Sequence, residues 1–538
     1  MLVLEICPET GDHFCVLPDQ LTIVRDACGG KFKYLGLENG IRQFLTARPA
    51  VARDRDILQV TVNVDGLPLH KSTNVQFWPI VCTVDTREAF IVALYQGDKK
   101  PNDVNEFLRE FLQEYDHLHA NGLEINGKHF AITLKCWVCD APARSFLKCI
   151  KGHTGYYACE RCKIRGVYHN NKVTYPMDGL YERRTDEAFA AMEYHDAPDG
   201  DNHQTGLPSP LIAGGLNAVS SVVIDVMHNV YLGTWKRFLM FLFAVGSRAT
   251  CRLSQGQKRQ VDERYLRIRL PREFSRQPRS IYDLDHWKAT EFRSSLLYTG
   301  FVFLRGIVSQ AVYDLYLKLA VAMIVLHTEN EVKRNRYLPF ARALLLEFIR
   351  DSGHVLGGDY VVYNVHCLCH VPDDVEHFGS SVNALSAFPY ENHLQSIKKL
   401  VKGPTNPIAQ VFSRLTEMTR QNFYRHKKVL QTHVSTRSQD SVFLLQDTSE
   451  FVFVQRRRRH DRRYDVRVIS TNAASHLFMV PCPSKHIGVY LVRNLNNLHA
   501  THRILGRPVL KHKVVMMALE NGQDYILIPM LHEGEIYH

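Results

Sequence analysis

At 538 residues, 45% of them hydrophobic, the chain can bury a large core and suggests two to four domains. Its thirteen cysteines are spread widely, which speaks against a secreted disulfide scaffold and for reduced thiols with at most one metal site. A net charge of +11 suits a polyanionic partner; no apolar run reads as a membrane span and no signal peptide precedes the first residues.

Residues 1–50 read as a lead-in packed on the core, around Gly29–Leu37 and Gly40–Leu45. They carry no compact zinc finger or helix-turn-helix pattern for reading DNA ends, so recognition is expected elsewhere or in a longer gene product. Residues 51–150 form the first part of the core. Three β-rich runs, 57–64, 75–84 and 89–95, are joined by short turn-like links and predict an antiparallel meander. A helix follows, capped near Asn102-Asp103, with Val104, Phe107, Leu108, Phe111, Leu112 and Tyr115 at helical spacing. A fourth strand, 130–139, comes next, and the helix before it permits a parallel crossover. Asp65 closes the first run and Asp140 the fourth, so two carboxylates stand where strands run out. Adjacent strand ends can bring such groups close enough to share a divalent metal, and a pair of metals can drive phosphodiester chemistry.

Residues 151–360 read as an insertion, first a polar loop region with paired cysteines, then helical periodicity such as Leu315, Leu319, Ala322, Met323 and Leu326. Residues 361–435 are the final part of the core, where Glu391 precedes Leu394, Ile397 and Leu400 on an amphipathic helix. Residues 436–538 return to short alternating β runs and predict a small separate β module.

Several blocks become recognisable in this order. Asp65-Gly66-Leu67-Pro68 comes first, then Cys139-Asp140-Ala141-Pro142-Ala143-Arg144 with Lys151-Gly152-His153 through Cys159-Glu160-Arg161-Cys162. Asp225-Val226-Met227-His228, Asn364 through His370 and Phe388-Pro389-Tyr390-Glu391-Asn392-His393 follow. Together, over about residues 25–425, they resemble CACTA-type DNA transposases, with the nearest likeness to animal transposase-domain proteins of that superfamily. The resemblance implies an α/β, ribonuclease H-like mixed sheet split by a large, mostly helical insertion. It implies a catalytic Asp/Asp/Glu triad, here Asp65, Asp140 and Glu391, holding Mg²⁺ or Mn²⁺ for DNA cleavage and strand transfer.

Each residue also admits a plainer reading. Asp65-Gly66 is an ordinary turn signal, Asp140 a helix cap and Glu391 a favourable N-terminal helix charge; Glu291 is the runner-up for the third acid. Cys159 and Cys162 have zinc-ligand spacing, with His153, Cys149 or His228 as natural completions, yet two cysteines also pack as buried hydrophobes. Asp225 and His228 can instead be structural. The run Arg456, Arg457, Arg458, Arg459 fits a DNA-backbone contact, a nuclear-import signal or a solvated loop.

The leading expectation is a nuclear, transposase-like enzyme acting on double-stranded DNA, oligomeric on its substrate and without a membrane partner. A domesticated, non-cleaving DNA- or chromatin-binding protein and a zinc-stabilised interaction scaffold are the rivals.

Overall fold

The computed structural model describes residues 3–6, 13–16, 24–70, 73–177, 179, 181–243, 251–420, 432–458 and 463–532. The chain is mixed α/β, with a large mixed sheet and many helices. It divides into two compact units: Met1–Gly166, Tyr181–Asp225 and Ala384–Lys427 form one, and Val167–Leu180, Val226–Asn383 and Lys428–His538 the other.

The first unit is built on a nine-stranded sheet. Strands β1 (Ile57–Val64), β2 (Gln76–Val84) and β3 (Ala89–Gly97) form an antiparallel meander. Helix α1 (Val104–Asn121) then crosses to β4 (Lys128–Cys139), which lies parallel to β1 on the side away from β2. Helix α2 (Ala141–Lys148) follows, and β5 (Val222–Ile224) adds parallel to β4. The short strands Arg25–Ala27 and Gly30–Tyr34 extend the opposite edge beyond β3.

Local chemistry accounts for these elements. Asp103 caps α1 by accepting from the N–H groups of Asn105 and Glu106 at 2.8 and 3.2 Å. The apolar stripe from Val104 to Leu118 is buried, and Phe111 meets Trp137 of β4 edge to face, with centroids 5.5 Å apart. Gly122 ends the helix at φ 68, where a Cβ would stand 2.7 Å from the carbonyl oxygen of Phe130. Because strand side chains alternate, Val60, Val62 and Val64 face this apolar layer, while Thr61 and Asn63 face the other side.

In the second unit the buried helix Gln310–His327 packs with the long helix Glu331–Val355. The sequence reading found no run of membrane-spanning length. Gln310–His327 does reach that length and apolarity, but 78% of its window is buried within the protein. Around it, Trp235 donates from Nε1 to Ser295 Oγ at 2.7 Å, and the Tyr231 hydroxyl lies 2.6 Å from His327 Nε2. The C-terminal strands, from Val442–Leu445 to Tyr525–Pro529, form an eight-stranded antiparallel sheet. They share this unit with the helices. A buried Lys513 binds the sheet to the preceding chain, 3.2 Å from both Glu273 and Asp440.

Candidate functional site

Val62 stands opposite Trp137 in the parallel pairing of β1 with β4, and Asp65 and Asp140 each follow three residues later. The two carboxylates therefore sit level at the ends of adjacent strands. A bulge between Leu134 and Cys136 brings Cys136 opposite Thr61, so alternation puts Asp140 on the same face as Asp65. Two bonds below them hold the strand ends together: Asn63 Nδ2 donates to Val138 O at 2.6 Å, and the N–H of Val64 points to Cys139 Sγ at 3.4 Å. Burial, with Asp140 and Asp65 nearby, pushes the Cys139 thiol well up, so it stays protonated.

The helix α3 (Phe388–Leu400) carries Glu391 in its first turn. Its placement on the sheet comes from contacts at three points. The N–H of Ala387 donates to Asp225 Oδ1 at 2.8 Å, the buried Tyr390 hydroxyl lies 3.1 Å from Thr83 Oγ1 on β2, and Lys398 donates to Pro68 O. Glu391 thereby joins Asp65: ligand atoms of the two lie within 4.8 Å of each other. Asp140 is outside that group and caps α2 through Oδ1, accepting from Ala143 N at 2.8 Å. The plain reading of Asp140 as a cap thus holds alongside its position beside Asp65.

The other acidic candidates are otherwise engaged. Glu291 is 4% exposed and accepts from Arg279 at 3.0 and 2.9 Å and from the N–H of Lys288 at 2.8 Å. Those bonds make it a structural cap. Asp225 is fully buried and ties the end of β5 to the start of α3.

Cys159 and Cys162 are both buried, with their sulfurs 3.5 Å apart. That is far beyond a disulfide bond and close to the ~3.8 Å expected for two thiolates at about 2.3 Å from one tetrahedral zinc. The pair lies in the first unit; His366 and His370, also buried, form a second pair of candidate ligands in the other. His366 and His370 are one helical turn apart, their Nε2 atoms 3.4 Å from each other. Of the completions named from sequence, His153 is exposed, His228 belongs to the second unit, and Cys149 ends α2 at φ 54 with its thiol directed to Phe146 O at 3.9 Å. The H-x3-H spacing of His366 and His370 stood in a block read in the sequence only for its family likeness.

Between the two cysteines, Glu160 is 3% exposed and binds two buried cations. Arg144 Nε donates to it at 2.8 Å and Lys148 Nζ at 2.9 Å. Arg144 also donates to Cys139 O at 2.8 Å, next to Asp140. Burial pulls the Lys148 ammonium below its usual range, and Glu160 opposes that pull.

In the arginine run, Arg456 and Arg457 are exposed on the strand Glu450–Arg457, and Arg458 pairs with Asp465 at 2.7 Å. Arg459 lies outside the described residues. No protein-family model matches the chain, and a search of curated proteins finds no match.

Proposed function

We propose that the chain is a transposase-like DNA-processing protein, with Asp65, Asp140 and Glu391 as the carboxylates of a metal-dependent phosphodiesterase centre on a ribonuclease H-like sheet. The observation that carries this reading is the level placement of Asp65 and Asp140 on adjacent parallel strands, with Glu391 within 4.8 Å of Asp65. The chain order supports it: an antiparallel meander, a helix, two parallel strands beyond the first, then a helix bearing a glutamate. So does the resemblance of the blocks around these residues to CACTA-type transposases.

The carboxylate donors Asp65 and Glu391 fit Mg²⁺ or Mn²⁺, which favour hard oxygen ligands. A divalent ion held there supplies Lewis-acid polarisation to a phosphodiester. The chain's own residues do the positioning. Asp65 and Glu391 present negative charge at one point. Asp140 keeps one oxygen on the N–H of Ala143, which fixes its rotamer and leaves the other oxygen without that backbone bond. The N–H of Ala387 on Asp225 sets the height of Glu391 above the strand ends.

The test is nicking of supercoiled plasmid by purified protein with Mg²⁺ or Mn²⁺. Asp65→Asn keeps the shape and loses the charge, so nicking should vanish while DNA binding stays. Without metal, the stability of that variant should hold or rise, because clustered carboxylates repel one another. Wild-type protein that binds DNA and never nicks it would move the assignment to a domesticated DNA-binding protein. Nicking that survives Asp65→Asn would place the chemistry on other residues. A second reading, a zinc-stabilised interaction scaffold, is favoured by the buried pair Cys159 and Cys162 alone, their sulfurs 3.5 Å apart; it predicts zinc but no DNA affinity.

A further inference from the structure

The arginine run near residue 457 is not the chain's one cationic stretch. Residues 252–279 hold eight arginines and one lysine against three acidic residues. Part of this stretch, the helix Gln255–Arg267 and the residues after it, forms one wall of a cleft of ≈ 730 Å³. The opposite wall is the hairpin of His512–Ala518 and Tyr525–Pro529. Four arginines line the cleft, Arg264, Arg267, Arg269 and Arg305, against one carboxylate, Glu520.

These arginines divide into two kinds. Arg264 is structural: it donates to Val302 O at 3.1 Å and Arg305 O at 2.5 Å, and it pairs with Glu520. Arg269 braces its own turn through Leu266 O at 2.6 Å and Ile268 O at 3.0 Å. Arg267 and Arg305 have no carboxylate partner among the described residues. The single acid of the cleft is already neutralised by Arg264. Two uncommitted guanidinium groups therefore remain in a concave site, where like charges raise each other's cost and an anion removes it.

We propose that this cleft is a binding site for the phosphodiester backbone of a nucleic-acid strand, with Arg267 and Arg305 as the phosphate contacts. The planar guanidinium fork matches phosphate oxygens in pairs, which an ammonium cannot do. Arg264 and Arg269 shape the wall and add to the field. The apolar Met516 and the half-exposed Tyr525 on the far wall give a surface for sugar or base rather than for a second row of charges. This rests on the DNA-processing reading and adds to it a place where substrate is held.

The experiment measures binding of the full chain to duplex DNA, and to single-stranded DNA of the same sequence, by anisotropy across a salt series. The variant is Arg267→Ala/Arg305→Ala. The control, Arg336→Ala/Arg350→Ala, removes the same charge from the exposed face of the helix Glu331–Val355. On duplex, the cleft variant should lower the slope of log K against log salt by about 1.8, at about 0.9 per lost phosphate contact, and the control should leave it unchanged. On a single strand the fall should be about 1.4. A fall on the single strand alone assigns the cleft to unpaired DNA, and one on both assigns it to any phosphodiester backbone. An unchanged slope in the cleft variant, or an equal fall in the control, overturns the proposal while leaving the carboxylate centre intact. Cleft-dependent binding in a protein that never nicks DNA upholds the cleft and overturns the catalytic reading. Wild-type protein that binds neither DNA at about 50 mM salt overturns both.

Discussion

The carboxylate of Asp225 accepts the backbone N–H of Ala387 at 2.8 Å, joining the end of β5 to the turn that opens α3. Asp225 is fully buried, and 162 residues of chain separate the two partners. The bond sets where Glu391 stands, one turn further along the helix.

Asp225→Ala leaves that N–H without its acceptor. It should cost roughly 1–3 kcal/mol in a denaturant titration. Mn²⁺ binding, measured by calorimetry, should weaken as well, because Glu391 loses its fixed height above Asp65. Asp225→Asn keeps an acceptor oxygen and should recover most of both. An Asp225→Ala protein with unaltered Mn²⁺ affinity would mean that α3 is held by its other contacts, Tyr390 and Lys398.

Elemental analysis of the purified chain should find about one zinc per molecule if the buried Cys159 and Cys162 hold a metal. Cys162→Ser should then lose it, and a strong chelator should lower the melting temperature of the wild type. Retention of zinc in Cys162→Ser would sink the assignment of the cysteine pair.

Glu160 neutralises Arg144 and Lys148 where water does not reach, with side-chain exposures of 4%, 2% and 0%. Glu160→Gln strands two buried cations and should cost about 3–5 kcal/mol. Replacing all three with apolar residues of similar volume should cost much less, because desolvation of the ions is removed with them. The single variant should also reduce nicking, since Arg144 is bonded to Cys139 O beside Asp140.

His203 gives the chain an acid-sensitive point. Burial first, then the charges of Arg184 and Lys148, lower its pKa to about 3 from the ordinary 6.5, and its Nδ1 lies 2.7 Å from Tyr157 O. The folded protein keeps His203 neutral while the unfolded chain takes up a proton below about 6.5. The stability it contributes is therefore complete above that value and is lost as pH falls toward 3. Between pH 7 and pH 5 the wild type should lose roughly 2 kcal/mol more than His203→Gln, read from urea midpoints. Parallel losses in the two proteins would assign the acid sensitivity to other groups.

The sequence by itself determined what depends on near neighbours. Alternation and capping set β1, α1 and β4, and they put Asp65 and Asp140 at the ends of their strands. Asp103 could be read as a cap because its partners, Asn105 and Glu106, lie within three residues. Only the tertiary structure separated Glu391 from Glu291: both stand in the first turn of a helix, but one meets Asp65 and the other is taken by Arg279. It also buried Glu160 between two cations in a stretch that reads as a polar loop. Helix and strand periods encode which face of an element is apolar. They carry no information about which distant element that face will meet, and Asp65 and Glu391 come from such distant elements.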